Sequence, residues 1–349
     1  MEGKMKAVAL HAIKDLRYED VDIPKIGEDD VLVKVKYVGI CGSDMPRAMV
    51  SGAYHYPTIT GHEFSGEVAE LGQNVENLKV GQKVTVAPLI PCGTCEFCKK
   101  GEFALCETYQ FLGSRNDGGF AEYVRVPKAN ILPIPEGLDL ETAAGIEPAS
   151  ISYQAVSKTN IKVGDTVAVV GCGPIGQFAI QWAKIFGASK VIAVDVLEDK
   201  LQLAKELGAD VIVNSKECDA VEKVLEITNG GVQAVVETAG IKFTEEQSVL
   251  MCRKHGRVIY LGISHDELKF SAKTLDRIMR GEITLQGSWN SYSAPFPGIA
   301  WSATLDFMKK GQIVFKPMIS HKIKLEELPE YFFKMFNKEI NYNKVLVEI

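Results

Sequence analysis

The sequence predicts an α/β protein with two domains, one largely β and one built on a doubly wound parallel sheet. The 349 residues are about twice the usual length of a single domain. Short β-branched runs between Gly, Pro and Asp turns fill residues 1 to about 150. From about Val163 onward, apolar strands alternate with helix-period segments, and this alternation indicates parallel strands with helices on both faces.

Composition and charge argue against several classes of protein. The net charge of −6 and the lack of a long basic run argue against a nucleic-acid partner. The longest apolar stretch, residues 167–183, contains glycines, a proline and glutamines, so it does not predict a membrane span. The N-terminus lacks the apolar core of a signal peptide. We therefore expect a cytoplasmic protein without a membrane partner.

The predicted elements follow the same division of the chain. In the first domain, strands are predicted at 30–38 and 82–87. In the second domain, we predict strands at 166–170, 190–195, 211–214, 233–238, 257–261 and 283–287, and helices at 176–186 and 199–207. The tail carries one or two amphipathic helices and a final strand at 344–349. We expect the tail to rejoin the first domain, so the predicted boundaries are 1–153 with 288–349, and 154–287.

Four cysteines lie within fifteen residues of one another and predict a metal-binding lobe. Cys92, Cys95, Cys98 and Cys106 have the spacing C-x2-C-x2-C-x7-C. Four thiolates on a tight loop surround one Zn²⁺ tetrahedrally and leave no position for a substrate, so the predicted site is structural. An iron–sulfur cluster is an alternative, because iron also accepts four cysteines. This grouping of cysteines indicates metal binding in a reducing compartment rather than a disulfide scaffold.

A second set of residues predicts a metal site with a free coordination position. Cys41 follows the strand at 30–38, and His62 and Glu63 are adjacent in the chain. Glu147 is an acidic residue within an apolar stretch, where an unpaired carboxylate would be costly without a cation. Sulfur, imidazole and carboxylate ligands together suit zinc. A single cysteine is more often a buried thiol, and a His-Glu pair more often forms surface or supporting hydrogen bonds. Only the combination of these residues indicates a metal site.

The segment after the strand at 166–170 predicts a dinucleotide-binding loop. Its glycines permit a tight turn and close approach to a pyrophosphate at the N-terminus of a helix. Asp195 ends the next strand, where a carboxylate accepts hydrogen bonds from the ribose hydroxyls and repels a 2′-phosphate, so NAD is favoured over NADP. The predicted cofactor-binding residues are Gly171, Gly173, Pro174, Ile175, Gly176, Asp195 and Lys200.

These residues resemble the zinc-containing medium-chain dehydrogenase family over essentially the whole chain. Within that family, the chain is similar to the polyol branch, which includes the sorbitol and galactitol 1-phosphate dehydrogenases. The segments that carry the resemblance are 41–47, 56–66, 113–123 and 287–298.

The resemblance implies a GroES-like β catalytic domain together with a Rossmann domain. It also implies two zinc ions per chain, with catalytic zinc on Cys41, His62 and Glu147 and with Glu63 as a direct or water-exchanging fourth ligand. A homodimer or homotetramer is implied as well. Glutamate at Glu147, where many alcohol dehydrogenases carry cysteine, agrees with the polyol branch. Pro46 stands where many relatives carry a relay histidine, which leaves the outer proton path open.

The expected reaction is hydride transfer from a secondary alcohol to NAD. Zinc would lower the pKa of the substrate hydroxyl, and Ser43 would pass the proton outward, alone or while also capping a helix. The resemblance favours galactitol 1-phosphate, oxidised to tagatose 6-phosphate. Alternatives are a free polyol of the sorbitol or L-iditol type, threonine, a simple secondary alcohol, or a non-enzymatic zinc-ribbon adaptor.

A phosphorylated substrate requires a cation for its phosphate group. Arg47 and Arg115 are candidates, because each lies beside a segment expected to face the cleft. From the resemblance alone, Asn290 and Tyr292 are expected to hold substrate hydroxyls.

Overall fold

A computed structural model describes residues 2–264 and 267–349. Met1, His265 and Asp266 fall within the predicted domain ranges but outside the described residues. In chain order the strands are β1 (Lys4–Ala12), β2 (Asp15–Asp22), β3 (Asp30–Gly39), β4 (Thr58–Ile59), β5 (Glu63–Leu71), β6 (Lys83–Val86), β7 (Leu89–Ile90), β8 (Gln110–Phe111), β9 (Tyr123–Pro127), β10 (Ile131–Pro133), β11 (Thr166–Val170), β12 (Lys190–Asp195), β13 (Val211–Asn214), β14 (Val232–Glu237), β15 (Cys252–Tyr260), β16 (Thr284–Gly287), β17 (Ile319–Lys324) and β18 (Lys344–Glu348).

The helices are mostly short in the first half of the chain and longer in the second. They are α1 (Asp44–Pro46), α2 (Glu96–Lys99), α3 (Leu140–Ala143), α4 (Ile146–Lys158), α5 (Pro174–Ile185), α6 (Glu198–Glu206), α7 (Ala220–Thr228), α8 (Lys242–Met251), α9 (Ala272–Gly281), α10 (Ile299–Lys309) and α11 (Leu328–Phe336). A π-helical turn, Arg47–Ser51, follows α1 directly. Among the described residues, every helix is too short or too polar to cross a lipid bilayer.

The chain divides into two compact units. The first contains Met1–Glu147, Tyr292–Gly311 and Phe315–Ile349, and the second contains Pro148–Ser291 and Gln312–Val314. The boundaries expected from the sequence, after residues 153 and 287, lie a few residues from these divisions and stay predictions.

The first unit is built around a large, mostly antiparallel sheet. Its strands follow the order β10-β6-β5-β3-β18-β17, and β9 also pairs with β3. Smaller sheets, β2-β1-β4 and β7-β8, complete the β structure described for this unit. The tail of the chain contributes β17 and β18, and β18 pairs antiparallel with β3. Side chains such as Val33, Phe64, Phe120 and Phe332 form the buried core beneath these strands.

The second unit holds a parallel sheet with the order β13-β12-β11-β14-β15-β16. All of its neighbouring strands run parallel. The strand order reverses between β11 and β14, and a ligand of a doubly wound sheet binds at the carboxyl ends of the strands at such a point. The α/β class predicted from the alternation of strands and helices is therefore confirmed.

Two elements begin two or more residues earlier than the sequence pattern predicts. α5 starts at Pro174 rather than at Gly176, because proline fits the first turn of a helix, where its missing N–H is not needed. β15 starts at Cys252 rather than at residue 257. Its ladder with β14 is interrupted between Cys252 and Arg257, and His255 has a φ of 59° there. Because the residues of this bulge are polar, a search for apolar runs does not detect the first part of the strand.

Candidate active site

The antiparallel pairing of β3 and β5 brings three metal-ligating side chains together. Gly39, the last residue of β3, lies opposite Glu63, the first residue of β5. Cys41 follows the end of β3 and His62 precedes β5, so both loops emerge at the same edge of the sheet. One ligand atom from each of Cys41, His62 and Glu63 lies within 4.8 Å of the other two. This set of soft and hard donors fits zinc and leaves room for a further ligand.

Two glycines make space for this arrangement. A side chain at Gly39 would collide with the carboxylate of Glu63, and one at Gly61 would meet the ring of Phe120 at 2.9 Å. Gly61 also has a φ of 93°, a conformation that L side chains rarely adopt. Both positions therefore require glycine if His62 and Glu63 are to enter β5 at this point.

Asp44 orients the side chains around it. It is fully buried and accepts hydrogen bonds from the Cys41 backbone N–H at 3.1 Å and from Arg47 Nη1 at 3.0 Å. One of its oxygens lies 3.5 Å from His62 Nδ1. Burial alone would raise the pKa of Asp44, but the charges of His62 and Arg47 lower it overall. A carboxylate beyond a ligating histidine fixes its ring and leaves the other nitrogen for the metal.

Arg47 therefore has a structural partner that the sequence did not reveal. Its guanidinium forms an ion pair with Asp44, three residues earlier in the chain. Only 17% of the Arg47 side chain is exposed, which is low for an arginine. The first role we infer for Arg47 is to hold Asp44 in place.

Ser43 directly contacts the group formed by Cys41, His62 and Glu63, referred to below as the metal-ligand cluster. Its hydroxyl donates to Cys41 Sγ at 3.4 Å. The residue occupies the N-cap position of α1, but its side chain makes no capping hydrogen bond. The expected capping role is therefore wrong: the hydroxyl is turned toward the thiol instead. Its expected role in proton transfer stays a prediction.

Glu147 lies in the first turn of α4 and is 6% exposed. It is not part of the tight group formed by Cys41, His62 and Glu63. Burial raises the pKa of its carboxyl group to about 7, the charge of His62 opposes that shift, and Glu63 reinforces it. A buried carboxylate next to other anions gains stability from a nearby cation. The environment of Glu147 is therefore suited to a metal ligand, and this role stays a prediction.

Lys344 is a residue that the sequence pattern did not single out. It opens β18, is 2% exposed, forms an ion pair with Glu63 and donates to the Ile40 carbonyl at 2.9 Å. Burial alone would lower the pKa of Lys344, but the charges of Glu63 and Cys41 raise it above its ordinary value. The only signal in the sequence is one lysine before the apolar run of the last strand.

The four cysteines of the lobe also converge. The sulfur atoms of Cys92, Cys95, Cys98 and Cys106 all lie within 4.8 Å of one another. A hydrogen bond from the Thr108 hydroxyl, together with backbone N–H groups, lowers the pKa of the Cys92 thiol to about 5. Burial instead raises the pKa of Cys98 to about 12. Full deprotonation of the set therefore requires a cation, and a tetrahedral metal with four sulfur ligands fits this geometry.

The loop between β11 and α5 has the shape that a pyrophosphate needs. Gly171 has a φ of 91°, and a side chain at Gly176 would collide with the Gly171 carbonyl oxygen. A Cβ at Gly173, in contrast, would have no heavy atom within 4 Å. Gly173 precedes Pro174 at the start of α5, so the first free backbone N–H groups of the helix belong to Ile175 and Gly176. The loop is closely packed at Gly176 and has open space at Gly173, as anion binding at a helix N-terminus requires.

Asp195 is fixed at the end of β12 next to this loop. Its carboxylate accepts from the backbone N–H groups of Cys172 at 2.6 Å, Val196 at 2.7 Å and Leu197 at 2.9 Å. Lys200 lies on α6, and its carbonyl accepts from Gln177 Nε2 at 2.9 Å. The three backbone N–H groups hold the carboxylate of Asp195, the residue predicted to bind the ribose, in one orientation before any cofactor binds.

Arg115 is held between two tyrosine rings. Its guanidinium carbon lies 4.4 Å from the Tyr54 centroid and 4.6 Å from the Tyr109 centroid. Within the described parts of the chain, no carboxylate forms an ion pair with it. Tyr109 packs edge-on against Phe111 at 6.3 Å, and Phe111 packs against the His62 ring at 5.6 Å. Aromatic contacts thus connect Arg115 with the metal-ligand cluster.

Asn290 and Tyr292 lie in different environments. Asn290 has a φ of 51°, and its buried Nδ2 has no hydrogen-bond partner among the described residues. Tyr292 is 3% exposed, its hydroxyl accepts from the Leu89 N–H at 3.3 Å, and its ring stacks on Phe296. Packing accounts for Tyr292, and the expected substrate contacts of both residues stay predictions.

Alanine substitutions at two of the three glycines of the nucleotide loop are expected to have different effects. Gly173→Ala should leave the free energy of unfolding within about 0.5 kcal/mol of wild type but weaken NADH binding, because the methyl group occupies the space for the pyrophosphate. Gly176→Ala should destabilise the fold by about 1–3 kcal/mol, because its methyl group meets backbone. Urea unfolding without cofactor and NADH fluorescence titration measure these effects. Wild-type NADH affinity in Gly173→Ala would contradict the assignment.

Removing one ligand from the cysteine lobe should release one metal ion. Metal analysis of Cys98→Ser is expected to find about one zinc per chain instead of about two, because three sulfur ligands no longer close the site. Cys218→Ser is the matched control, since Cys218 is exposed and lies outside both ligand groups. Iron with acid-labile sulfide in the wild-type protein would instead indicate a cluster.

The chain matches known proteins over both units. Residues 27–136 match the model of the alcohol dehydrogenase GroES-like domain, and residues 174–308 match that of the zinc-binding dehydrogenase domain. Galactitol 1-phosphate 5-dehydrogenase of Escherichia coli (strain K12) is 37% identical over 93% of this chain and 95% of the relative.

Two crystal structures agree with the fold. That of galactitol-1-phosphate dehydrogenase from Escherichia coli has a TM-score of 0.94 and 35% identity, covering 99% of this chain and 100% of the other. A Sinorhizobium meliloti 1021 protein, described as a zinc-binding dehydrogenase and bound to NADP, has a TM-score of 0.93 and 34% identity with the same coverage. Together with the fold and the two ligand groups, these matches show that the chain belongs to the zinc-containing medium-chain dehydrogenase family, whose members are zinc-dependent alcohol and polyol dehydrogenases.

Proposed function

We propose that this enzyme oxidises a secondary hydroxyl of a polyol phosphate with NAD, and that its substrate is galactitol 1-phosphate, which would yield tagatose 6-phosphate. Similarity to the Escherichia coli enzyme along nearly the whole chain supports this substrate. The observation that carries the phosphorylated substrate is the guanidinium of Arg115, which two aromatic rings hold and no described carboxylate neutralises. A non-enzymatic zinc-ribbon adaptor does not account for the match over both domains.

The donor set at the end of β3 fits a catalytic zinc. Cys41, His62 and Glu147 would hold the ion with Glu63 in direct or exchanging contact, and the buried carboxylates favour a cation there. Zinc would supply Lewis acidity that lowers the pKa of the substrate hydroxyl. An oxygen of Asp44 lies 3.5 Å from His62 Nδ1, and its negative charge would favour a protonated nitrogen on that side of the ring. The Ser43 hydroxyl, which donates to Cys41 Sγ, would accept the substrate proton.

A pre-positioned cation explains how a phosphate could be distinguished from a hydroxyl. A guanidinium offers a planar array of donors that matches phosphate oxygens, and stacking on tyrosine rings reduces its freedom without removing its charge. Arg47 is a weaker candidate, because Asp44 already neutralises its charge. Loss of Arg47 would therefore disturb the orientation of His62 as well as any phosphate contact.

Replacement of Arg115 should affect only phosphorylated substrates. Arg115→Gln is expected to lower kcat/KM for galactitol 1-phosphate by about ten- to hundredfold, the value of a lost hydrogen bond to a charged group, and to leave the rate on free polyols unchanged. The measurement compares galactitol 1-phosphate with galactitol, sorbitol, threonine and 2,3-butanediol, each with NAD. Arg125→Gln is the control, since Arg125 and Arg115 both line one cavity of about 450 Å³, but Arg125 is 55% exposed and lies 3.8 Å from the Asp30 carboxylate.

The same panel tests the proposed function itself. A wild-type enzyme that prefers sorbitol, threonine or butanediol would contradict the polyol phosphate and support the corresponding alternative. An equal loss on phosphorylated and free polyols in Arg115→Gln would show that Arg115 supports the site rather than binding phosphate.

Asp195 supports NAD as the cofactor. A fixed carboxylate at the end of the second parallel strand accepts hydrogen bonds from ribose hydroxyls and repels a 2′-phosphate. The NADP-bound Sinorhizobium meliloti structure shows that a similar fold accepts the phosphorylated cofactor, so the local charge must decide the preference.

Loss of the Asp195 charge should reduce the preference for NAD. Wild type is expected to favour NAD over NADP in kcat/KM by about a hundredfold, and Asp195→Ser is expected to lower the NAD value about tenfold or more while that for NADP rises or holds. Glu198→Gln controls for the removal of an exposed carboxylate on α6, since Glu198 contacts Gln202 and Asn214 instead. A wild-type enzyme that prefers NADP would overturn this assignment.

We also propose a homodimer or homotetramer in the cytoplasm. β16 is an edge strand of the parallel sheet, and Thr284, Gln286 and Gly287 in it are exposed. Trp289, just beyond this strand, is 48% exposed. An exposed edge strand with an exposed indole beside it favours pairing with a second copy.

A further inference from the structure

Lys344 is the one lysine that lies against the candidate catalytic metal site in the described part of the chain. We propose that Lys344 is a positioning residue that balances the charge of this site and holds the Glu63 carboxylate away from the open coordination position. This inference rests on the metal site of the proposed function and adds the residue that controls its charge.

The strand pairing brings Lys344 next to the residues of the candidate metal site. β18 pairs antiparallel with β3, with Leu346 opposite Gly39, so Lys344 lies beyond the end of β3 near Cys41. Its ammonium contacts the Glu63 carboxylate and the Ile40 carbonyl, and its side chain is 2% exposed. A fully buried lysine is rare unless it is paired, so the partner determines the position of the ammonium.

The space around the pair is fitted to it. A Cβ at Gly39 would collide with a carboxylate oxygen of Glu63 and lie 2.8 Å from Cε of Lys344. The ion pair therefore occupies the volume that a side chain on β3 would otherwise fill. Such a close fit leaves the Glu63 carboxylate few orientations other than facing Lys344 or turning toward the metal ligands.

Charge balance explains why a cation is needed there. Cys41, Glu63 and Glu147 are the acidic groups that interact with Lys344, whereas Asp44 is paired separately with Arg47. If the Cys41 thiolate and both carboxylates are charged, a divalent metal leaves one negative charge uncompensated, and Lys344 supplies the missing positive charge. Uncompensated charge in a buried site is strongly destabilising.

Removal of this positive charge should change the affinity for the metal in a predictable direction. A nearby metal cation would be bound more tightly, because the repulsion from Lys344 is gone and Glu63 is free to turn toward the metal. The same change makes ionisation of the substrate hydroxyl less favourable, since the site becomes more negative. A lysine that only supports packing would have the opposite effect on the metal, because a distorted site binds zinc less well.

The experiment measures zinc release from the full-length enzyme to a chromophoric chelator in excess. The phase that disappears in Cys41→Ser identifies the catalytic ion, and the remaining phase belongs to the cysteine lobe. The variants are Lys344→Met, Glu63→Gln and the double variant. Lys324→Met is the matched control, because it breaks an exposed ion pair between Lys324 of β17 and Glu348 of β18.

We expect Lys344→Met to slow the catalytic phase by about tenfold or more, and Glu63→Gln to accelerate it by a similar factor. The double variant should return close to the wild-type rate, because both charges of the pair are removed. In Lys344→Met, the pH at which kcat is half maximal should also rise. Lys324→Met should leave the release rate and the pH profile unchanged.

An unchanged or faster catalytic phase in Lys344→Met would overturn the inference. If that variant does not fold, the double variant decides: zinc release as fast as in Glu63→Gln, or faster, would equally overturn it. Absence of any Cys41-dependent phase from the wild-type enzyme would instead contradict the metal site of the proposed function.

Discussion

Concentrated negative charge that is shielded from water is the constraint on which the candidate active site depends. The pairing of β3 with β5 places a thiol, an imidazole and a carboxylate within reach of one ion, and Glu147 adds a second buried carboxyl group. Such a group of anions is stable only with cations among it. The arrangement therefore favours a bound cation, and the lysine beside Glu63 already contributes one positive charge.

The second unit meets a different requirement with backbone rather than side chains. Its nucleotide loop is tight where Gly176 faces the Gly171 carbonyl and open where Gly173 faces solvent. Asp195 is held by three backbone N–H groups before a cofactor binds, so little ordering cost remains for its binding. Dehydrogenase chemistry combines this preformed nucleotide site with the metal site of the first unit.

Features encoded by neighbouring residues could be predicted from the sequence, and features formed by distant residues could not. The strands Thr166–Val170 and Lys190–Asp195 match their predicted bounds, because each is a continuous apolar run that ends at a glycine or an aspartate. The cysteine lobe was equally visible, since its spacing is local. Lys344 was missed because its partner Glu63 lies far away in sequence, and only the pairing of β18 with β3 brings them together.

We infer that Cys41, His62 and the neighbouring carboxylates bind a metal ion with a free coordination position. Anomalous diffraction at the zinc edge from crystals of the enzyme tests it most directly. We expect two zinc peaks per chain, one among the four lobe cysteines and one within bonding distance of Cys41 Sγ and a His62 ring nitrogen. A peak in the cysteine lobe alone, from fully active crystals, would contradict it.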